Sequence, residues 1–154
     1  MSWNGVKKQS YKQEIKSWCE EIGIKKYTIN SQGEIDVDGI VDLSKKDFKE
    51  LPYKFGIVKG YFDLSRNKNL RTLKNCPNYV NGSFACDLCP QLDSLEGCPK
   101  KVRGSFWCED CPQLDSLERC PKEVKRNFWC RNCKRKFTNK EVRSLCKVKG
   151  KINV

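Results

Sequence analysis

The stretch VNGSFACDLCPQLDSLEGCP (Val80–Pro99) is followed by VRGSFWCEDCPQLDSLERCP (Val102–Pro121), so the chain repeats itself every 22 residues. Weaker copies begin at Val37, Val58 and Val124. A fixed period of this length indicates a solenoid, in which each unit buries its apolar side by stacking on its neighbours. The repeat therefore determines which side chains point inward. The interpretation of the 11 cysteines depends on that assignment.

Within one unit, the alternation Gly82-x-Phe84-x-Cys86 predicts a strand whose Phe and Cys side chains face the interior. Pro99 begins the return segment, where no hydrogen-bond donor is needed for a ladder. Successive strands are expected to build one short parallel sheet with a concave outer face.

Two helices are predicted at the ends of the repeats. An apolar stripe at helical spacing predicts a helix over residues 8–22 that ends at Gly23, and its members are Tyr11, Ile15, Trp18 and Ile22. Short strands are expected at 27–30 and 34–37. Thr138 and Glu141 have the spacing of a capping box, which predicts a second helix over residues 139–147.

The predicted fold is thus an α+β repeat solenoid of about five turns, with a helix covering each end. We expect an N-terminal helical cap with short strands over residues 1–36 and the repeats over residues 37–135. A basic C-terminal helical cap is expected over residues 136–154.

The units resemble leucine-rich repeats. Phe84 and Cys86 take the two strand positions of that pattern, and Cys89 stands where the family has Asn or Cys, as Asn67 does one turn earlier. Residues 28–44, 51–62 and 141–150 are more specifically similar to small leucine-rich repeat proteins encoded by tailed bacteriophages. The resemblance implies the fold and a place in the host cell cytoplasm, but no activity. This chain departs from the pattern in its many cysteines and in one extra residue before the next leucine.

Composition and charge narrow the classes of function. The chain has no histidine, no Gly-rich phosphate loop and no carboxylate pair placed in an identifiable cleft, so we expect a protein that is not an enzyme. No apolar run reaches the length of a membrane span, and the first residues lack the apolar stretch of a signal peptide. A cytoplasmic location with reduced thiols follows as an expectation, as does a monomer without cofactors.

The cysteines allow two main interpretations, and redox or disulfide function is a third. Three Cys-x-x-Cys pairs have zinc-knuckle spacing and would form a zinc-stabilised structural module: Cys86 and Cys89, Cys108 and Cys111, Cys130 and Cys133. Alternatively, one cysteine of each pair fills an inward strand position and the other bonds the backbone of the turn. The second interpretation is favoured, because Leu64 and Asn67 stand in the equivalent places of an earlier unit.

Positions between the inward strand residues are predicted to form a solvent-facing surface that binds a partner. Trp107 and Trp129 follow one another on one column, and large aromatic side chains in water are favoured anchors of interfaces. The alternative is that the two rings only cover each other or lie under the C-terminal segment. The predicted partner-binding residues are Tyr61, Asp63, Asp87, Trp107, Glu109, Trp129 and Arg131.

The excess positive charge lies near the C-terminus. From Arg119 onward there are 13 Lys and Arg against Glu123 and Glu141, a net of +11 out of +12 for the chain. We expect a basic patch formed by Lys134, Arg135, Lys136, Lys140, Arg143 and Lys147. A polarised charge of this kind indicates an acidic partner.

These features predict a binding protein that docks its Trp-containing face and basic end on an acidic host protein, as an inhibitor or modulator of a host defence factor. An alternative is an accessory protein for single-stranded nucleic acid, since bases stack on exposed rings beside basic charge. Against that alternative, Asp63, Asp87 and Glu109 would repel phosphates.

Overall fold

The structure is a computed structural model that describes residues 3–154. Within that range the chain forms a β-solenoid of about five turns with two helices. The first two residues of the predicted N-terminal segment lie outside the described residues.

Each turn contributes one strand to each of two sheets, which meet at a corner. The seven-stranded sheet has parallel pairs except for its first two strands, and it consists of Tyr27–Ile29, Ile35–Val37, Phe55–Val58, Tyr79–Val80, Lys101–Val102, Glu123–Val124 and Lys147–Val148. The six-stranded sheet is parallel throughout and consists of Val41–Asp42, Phe62–Asp63, Phe84–Ala85, Phe106–Trp107, Phe128–Trp129 and Ile152–Asn153.

The six-stranded sheet is the one that the repeat predicts. In the seven-stranded sheet, the predicted strands at 27–30 and 34–37 are confirmed as Tyr27–Ile29 and Ile35–Val37, and the five strands that follow were not anticipated. The segment after each proline was expected to be a plain return. Instead, residues such as Tyr79–Val80 pair in register with Lys101–Val102 of the next turn. Each turn is therefore hydrogen-bonded to its neighbours in both sheets, so two separate ladders fix its register.

The core between the sheets is a stack of like side chains. The rings of Phe62, Phe84 and Phe106 lie 5.7 and 5.8 Å apart, centroid to centroid, and are nearly parallel. Phe55 and Phe128 continue the stack at its two ends, each 5.1 Å from its neighbour. All five rings are fully buried, so in-register stacking supplies much of the apolar burial that holds the coils together.

The first helix, α1, spans Trp3–Ile22 and begins earlier than the predicted helix. Its Trp18 ring lies 6.1 Å from Phe55 at the end of the ring stack and 5.4 Å from Tyr53. Gly23 follows with a φ of +80°, the left-handed conformation expected of a residue that ends a helix.

The second helix, α2, spans Asn139–Leu145, and its predicted capping box is present. Thr138 Oγ1 accepts a hydrogen bond from the Glu141 backbone N–H, and a Glu141 carboxylate oxygen accepts one from the Thr138 N–H. The helix is two residues shorter than predicted because Lys147 and Val148 form a strand. That both helices act as end caps stays a prediction.

The corner between the sheets brings successive backbones very close together. The Gly82 N–H donates to the Gly60 carbonyl at 3.0 Å, and the Gly104 N–H donates to the Gly82 carbonyl at 2.8 Å. A Cβ atom on Gly82 would lie 2.5 Å from the Gly60 oxygen. A side chain at Gly82 would therefore force the two backbones apart. Arg126, which stands at the same corner two turns later, makes a longer hydrogen bond of 3.2 Å to the Gly104 carbonyl.

We expect Gly82→Ala to lower the free energy of unfolding by about 1–3 kcal/mol, because the added methyl group overlaps the backbone of the preceding turn. Arg126→Ala is the matched control, since Arg126 occupies the same corner one turn after Gly104 and is exposed. Denaturant unfolding followed by circular dichroism measures both. Equal stability of the two variants would contradict the close approach.

Candidate interaction surface

The outer face of the six-stranded sheet carries columns of side chains that are fixed by the strand register. One column is formed by Asp42, Asp63, Ala85, Trp107, Trp129 and Asn153. All seven predicted partner-binding residues lie on this face, in or beside that column. We call these seven residues the Trp face.

Trp107 and Trp129 stack on each other in neighbouring turns. Their ring centroids are 5.1 Å apart with an angle of 11° between the ring planes, and both side chains are half-buried. The Arg131 guanidinium lies 5.9 Å from the centroid of the Trp129 ring, within cation–π range. The Trp129 Nε1 atom is buried and has no hydrogen-bond partner among the described residues. The pair is therefore a partly exposed aromatic platform.

Arg131 is held in place by a charged neighbour. Its Nε donates to Glu109 Oε1 at 2.5 Å, one turn away along the column. The guanidinium is half exposed, whereas only 13% of the Glu109 side chain is exposed. Glu109 thus positions Arg131 beside the indole pair.

The other half of the Trp face is acidic. Burial, together with the nearby carboxylates of Glu109 and Asp63, raises the pKa of Asp87 to about 6. The Glu109 N–H, which donates to Asp87 Oδ1 at 2.9 Å, acts in the opposite direction. Burial and the Asp63 carboxylate, which accepts a hydrogen bond from the Tyr61 hydroxyl, raise the pKa of Tyr61. This half therefore concentrates negative charge next to the aromatic platform.

The predicted basic patch is divided in the structure. Lys134 Nζ pairs with Asp115 at 3.1 Å, and Arg135 pairs with Glu141 at 2.8 Å and lies over the Phe137 ring. Lys134 and Arg135 line one pocket with Lys136, whereas Arg143 and Lys147 line another. Lys140 is exposed on α2. Two of the six cations are thus partly neutralised by carboxylates within the chain.

The predicted role of the second cysteine of each pair, which is to bond the backbone of the turn as Asn67 does, is confirmed by its contacts. Asn67 Nδ2 donates to the Leu43 and Leu64 carbonyls at 2.9 and 2.7 Å. The Cys89 Sγ lies 3.5 Å from the Leu64 carbonyl, and Cys111 lies 3.3 Å from the Cys86 carbonyl. The second cysteine of each pair therefore takes the place of asparagine in a side-chain ladder along the turns.

The first cysteines of the pairs are inward, and all 11 cysteines are free. Cys86 and Cys108 are fully buried beside the Phe stack, and burial raises the pKa of both thiols well above the usual value. Over residues 3–154, no group of three or more Cys, Asp or Glu side chains is placed to hold a metal ion. The zinc alternative thus gains no support from the arrangement of the thiols.

Sequence reasoning missed a basic surface on the seven-stranded sheet. Its outward positions carry lysine and arginine in three successive turns, around strands Lys101–Val102, Glu123–Val124 and Lys147–Val148. In the sequence, this surface could have been found from the basic residues on either side of Val102, Val124 and Val148. It was not recognised because these short segments were interpreted as returns rather than strands.

No family model, no curated protein and no solved structure matches this chain. The resemblance to leucine-rich repeats and to bacteriophage proteins therefore stays a prediction. No helix within residues 3–154 is both long enough and apolar enough to cross a bilayer.

We expect Asp87→Asn to stabilise the fold near neutral pH. A folded-state pKa of about 6 lies above the usual value of about 4, so stability falls as pH rises between the two and stays low above them. An asparagine at this position carries no charge, so the variant does not lose stability over this pH range, and its amide oxygen can still accept the hydrogen bond from the Glu109 N–H. The gain is about 1–2 kcal/mol at neutral pH after allowance for solvent screening, and it disappears near pH 4.

The gain is measured as the difference in the free energy of unfolding between the parent chain and Asp87→Asn, at neutral pH and near pH 4. Asp93→Asn, on an exposed turn, is the matched change from carboxylate to amide outside the column. A loss of stability in Asp87→Asn at neutral pH would contradict the burial of an unfavourable charge.

We expect Cys89→Asn to fold with a stability within about 1 kcal/mol of the parent chain, because Asn67 makes the same backbone contacts one turn earlier. Cys89→Leu should cost about 1–3 kcal/mol, since its branched side chain crowds the turn and cannot replace the contacts of the thiol with the Leu64 and Asp87 carbonyls. Thermal unfolding compares the two variants. If Asn and Leu are equally damaging, the shared role of Asn67 and Cys89 is wrong.

Proposed function

We propose that this protein is a non-enzymatic binding module that docks the Trp face on another protein. The observation that carries the proposal is the Trp107–Trp129 stack, which is half-exposed on a rigid sheet. Stacked indoles offer a large apolar area that loses little conformational entropy on binding, and tryptophan and arginine are the most frequent anchors of interfaces.

The charges around the stack define the partner's contact surface. Asp63 and Asp87 flank the aromatic platform on one side, and Arg131 lies on the other. A matching segment would place an apolar side chain on the indoles and a cationic group near the two aspartates. The prediction of an acidic partner rested on the C-terminal basic residues, whereas the Trp face itself favours cationic groups at the point of contact.

The resemblance to bacteriophage proteins supports a host protein as the partner. In that setting, docking of the Trp face would inhibit or redirect a host factor, and the protein would act in the host cytoplasm.

Trp107→Ala combined with Trp129→Ala should weaken capture of the partner by about 30-fold or more, because truncation of one interface anchor costs about 2 kcal/mol. The measurement is affinity capture with the full chain, followed by titration of the captured protein. Ile57→Ala with Tyr79→Ala is the matched control, because these residues pair in neighbouring turns on the outer face of the other sheet.

Circular dichroism establishes that both double variants remain folded. Binding that is lost in the Trp variant and kept in the control supports the proposal. Equal binding by the parent chain and the Trp variant would overturn it.

A further inference from the structure

The outer face of the seven-stranded sheet becomes strongly basic over its last three turns. Eight Lys and Arg side chains stand there against Glu123, a net of 8 − 1 = +7 out of +12 for the chain. We call these eight residues the basic face: Lys100, Lys101, Arg103, Lys122, Lys125, Arg126, Lys147 and Lys149. Only Lys147 belongs to the basic patch that the sequence predicted.

The strand register holds these cations in rows. Lys101, Glu123 and Lys147 are direct neighbours across the three strands. Two residues further along, the N–H groups of Lys125 and Lys149 donate to the carbonyls of Val102 and Val124, which places their side chains in a second row. Neighbouring strands lie about 4.8 Å apart and alternate residues about 6.8 Å apart, so the cations form a regular grid.

The single carboxylate is fully engaged within the grid. Glu123 accepts hydrogen bonds from Lys101, at 3.0 Å, and from Lys125. These hydrogen bonds from Lys125 and Lys101 lower the pKa of Glu123 to about 2. The proximity of Lys125 in turn lowers the pKa of Lys149. The cations are therefore crowded, and a ligand that brings several negative charges would relieve their repulsion.

Two observations identify the class of ligand. The outward positions of these three strands carry no aromatic side chain on which an unpaired base could stack, so this surface meets phosphates rather than bases. The cations repeat at regular distances on a rigid sheet, which suits a polymer with regularly spaced phosphates. We propose that the basic face binds the phosphate backbone of double-stranded nucleic acid without sequence preference.

The rest of the molecule confines such a contact to one side. Earlier turns of the same sheet carry Asp36 and Asp38, the latter paired with Lys59 at 3.5 Å. The Trp face on the other sheet is acidic around Asp63 and Asp87. A duplex on the basic face therefore leaves the Trp face free to bind a protein, and the two activities can be lost independently.

The test measures the fluorescence anisotropy of a labelled duplex of random sequence, about two helical turns long, with the full chain at several salt concentrations. If the face contacts about four to six phosphates, the plot of log affinity against log salt has a slope of about −4 to −5. Arg103→Glu with Lys149→Glu should weaken binding at least tenfold and make the slope less negative by about 2.

Lys136→Glu with Lys140→Glu is the matched control, because it makes the same change in net charge on exposed residues outside the basic face. It should retain affinity within about threefold, since most of its effect is screened by salt. Lys122→Glu with Lys147→Glu serves as a second variant of the basic face if the first does not fold, since both side chains are exposed.

Three results would overturn the proposal. The first is an equal loss of affinity in the control and in the folded variant of the basic face, which would show that net charge alone decides binding. The second is tighter binding to a single strand of the same length than to the duplex. The third is retention on anionic phosphatidylserine vesicles or on polyglutamate under conditions where the duplex does not bind.

Discussion

The close backbone approach at the corner between the two sheets is the constraint on which the rest of the structure depends. A series of corner N–H groups donates to the carbonyls one turn earlier, and little more than a hydrogen atom fits between the chains at Gly60, Gly82, Gly104 and Gly150. Because both sheets meet at this corner, a slip in one would displace the other. The register fixed there stacks the Phe rings inside and sets every outward column.

This register gives the two sheets outer faces of opposite character. The Trp face combines a stacked indole pair with half-buried carboxylates, whereas the basic face places eight cations around one glutamate. Both faces are flat arrays built by repetition. The two proposed contacts would let one module hold a protein and a nucleic-acid duplex together.

Much of this arrangement could be predicted from the sequence because the repeat is nearly exact. The 22-residue period determined that Phe84 and Cys86 are inward and Trp107 is outward, and Asn67 identified the role of Cys89. The last five strands of the seven-stranded sheet escaped prediction, because four of them are only two residues long and too short to show a pattern. The ion pairs of Lys134 and Arg135 escaped because their partners follow from folding and not from sequence spacing.

The most direct test of the register is the nuclear Overhauser effect between the ring protons of Trp107 and those of Trp129. Because the ring centroids are 5.1 Å apart and the ring planes are nearly parallel, protons of the two rings lie close enough to give cross-peaks in the parent chain. Either Trp107→Phe or Trp129→Phe should remove these cross-peaks between the two indoles. Their absence from the parent chain would show that these residues do not stack in neighbouring turns and would contradict the register from which both faces derive.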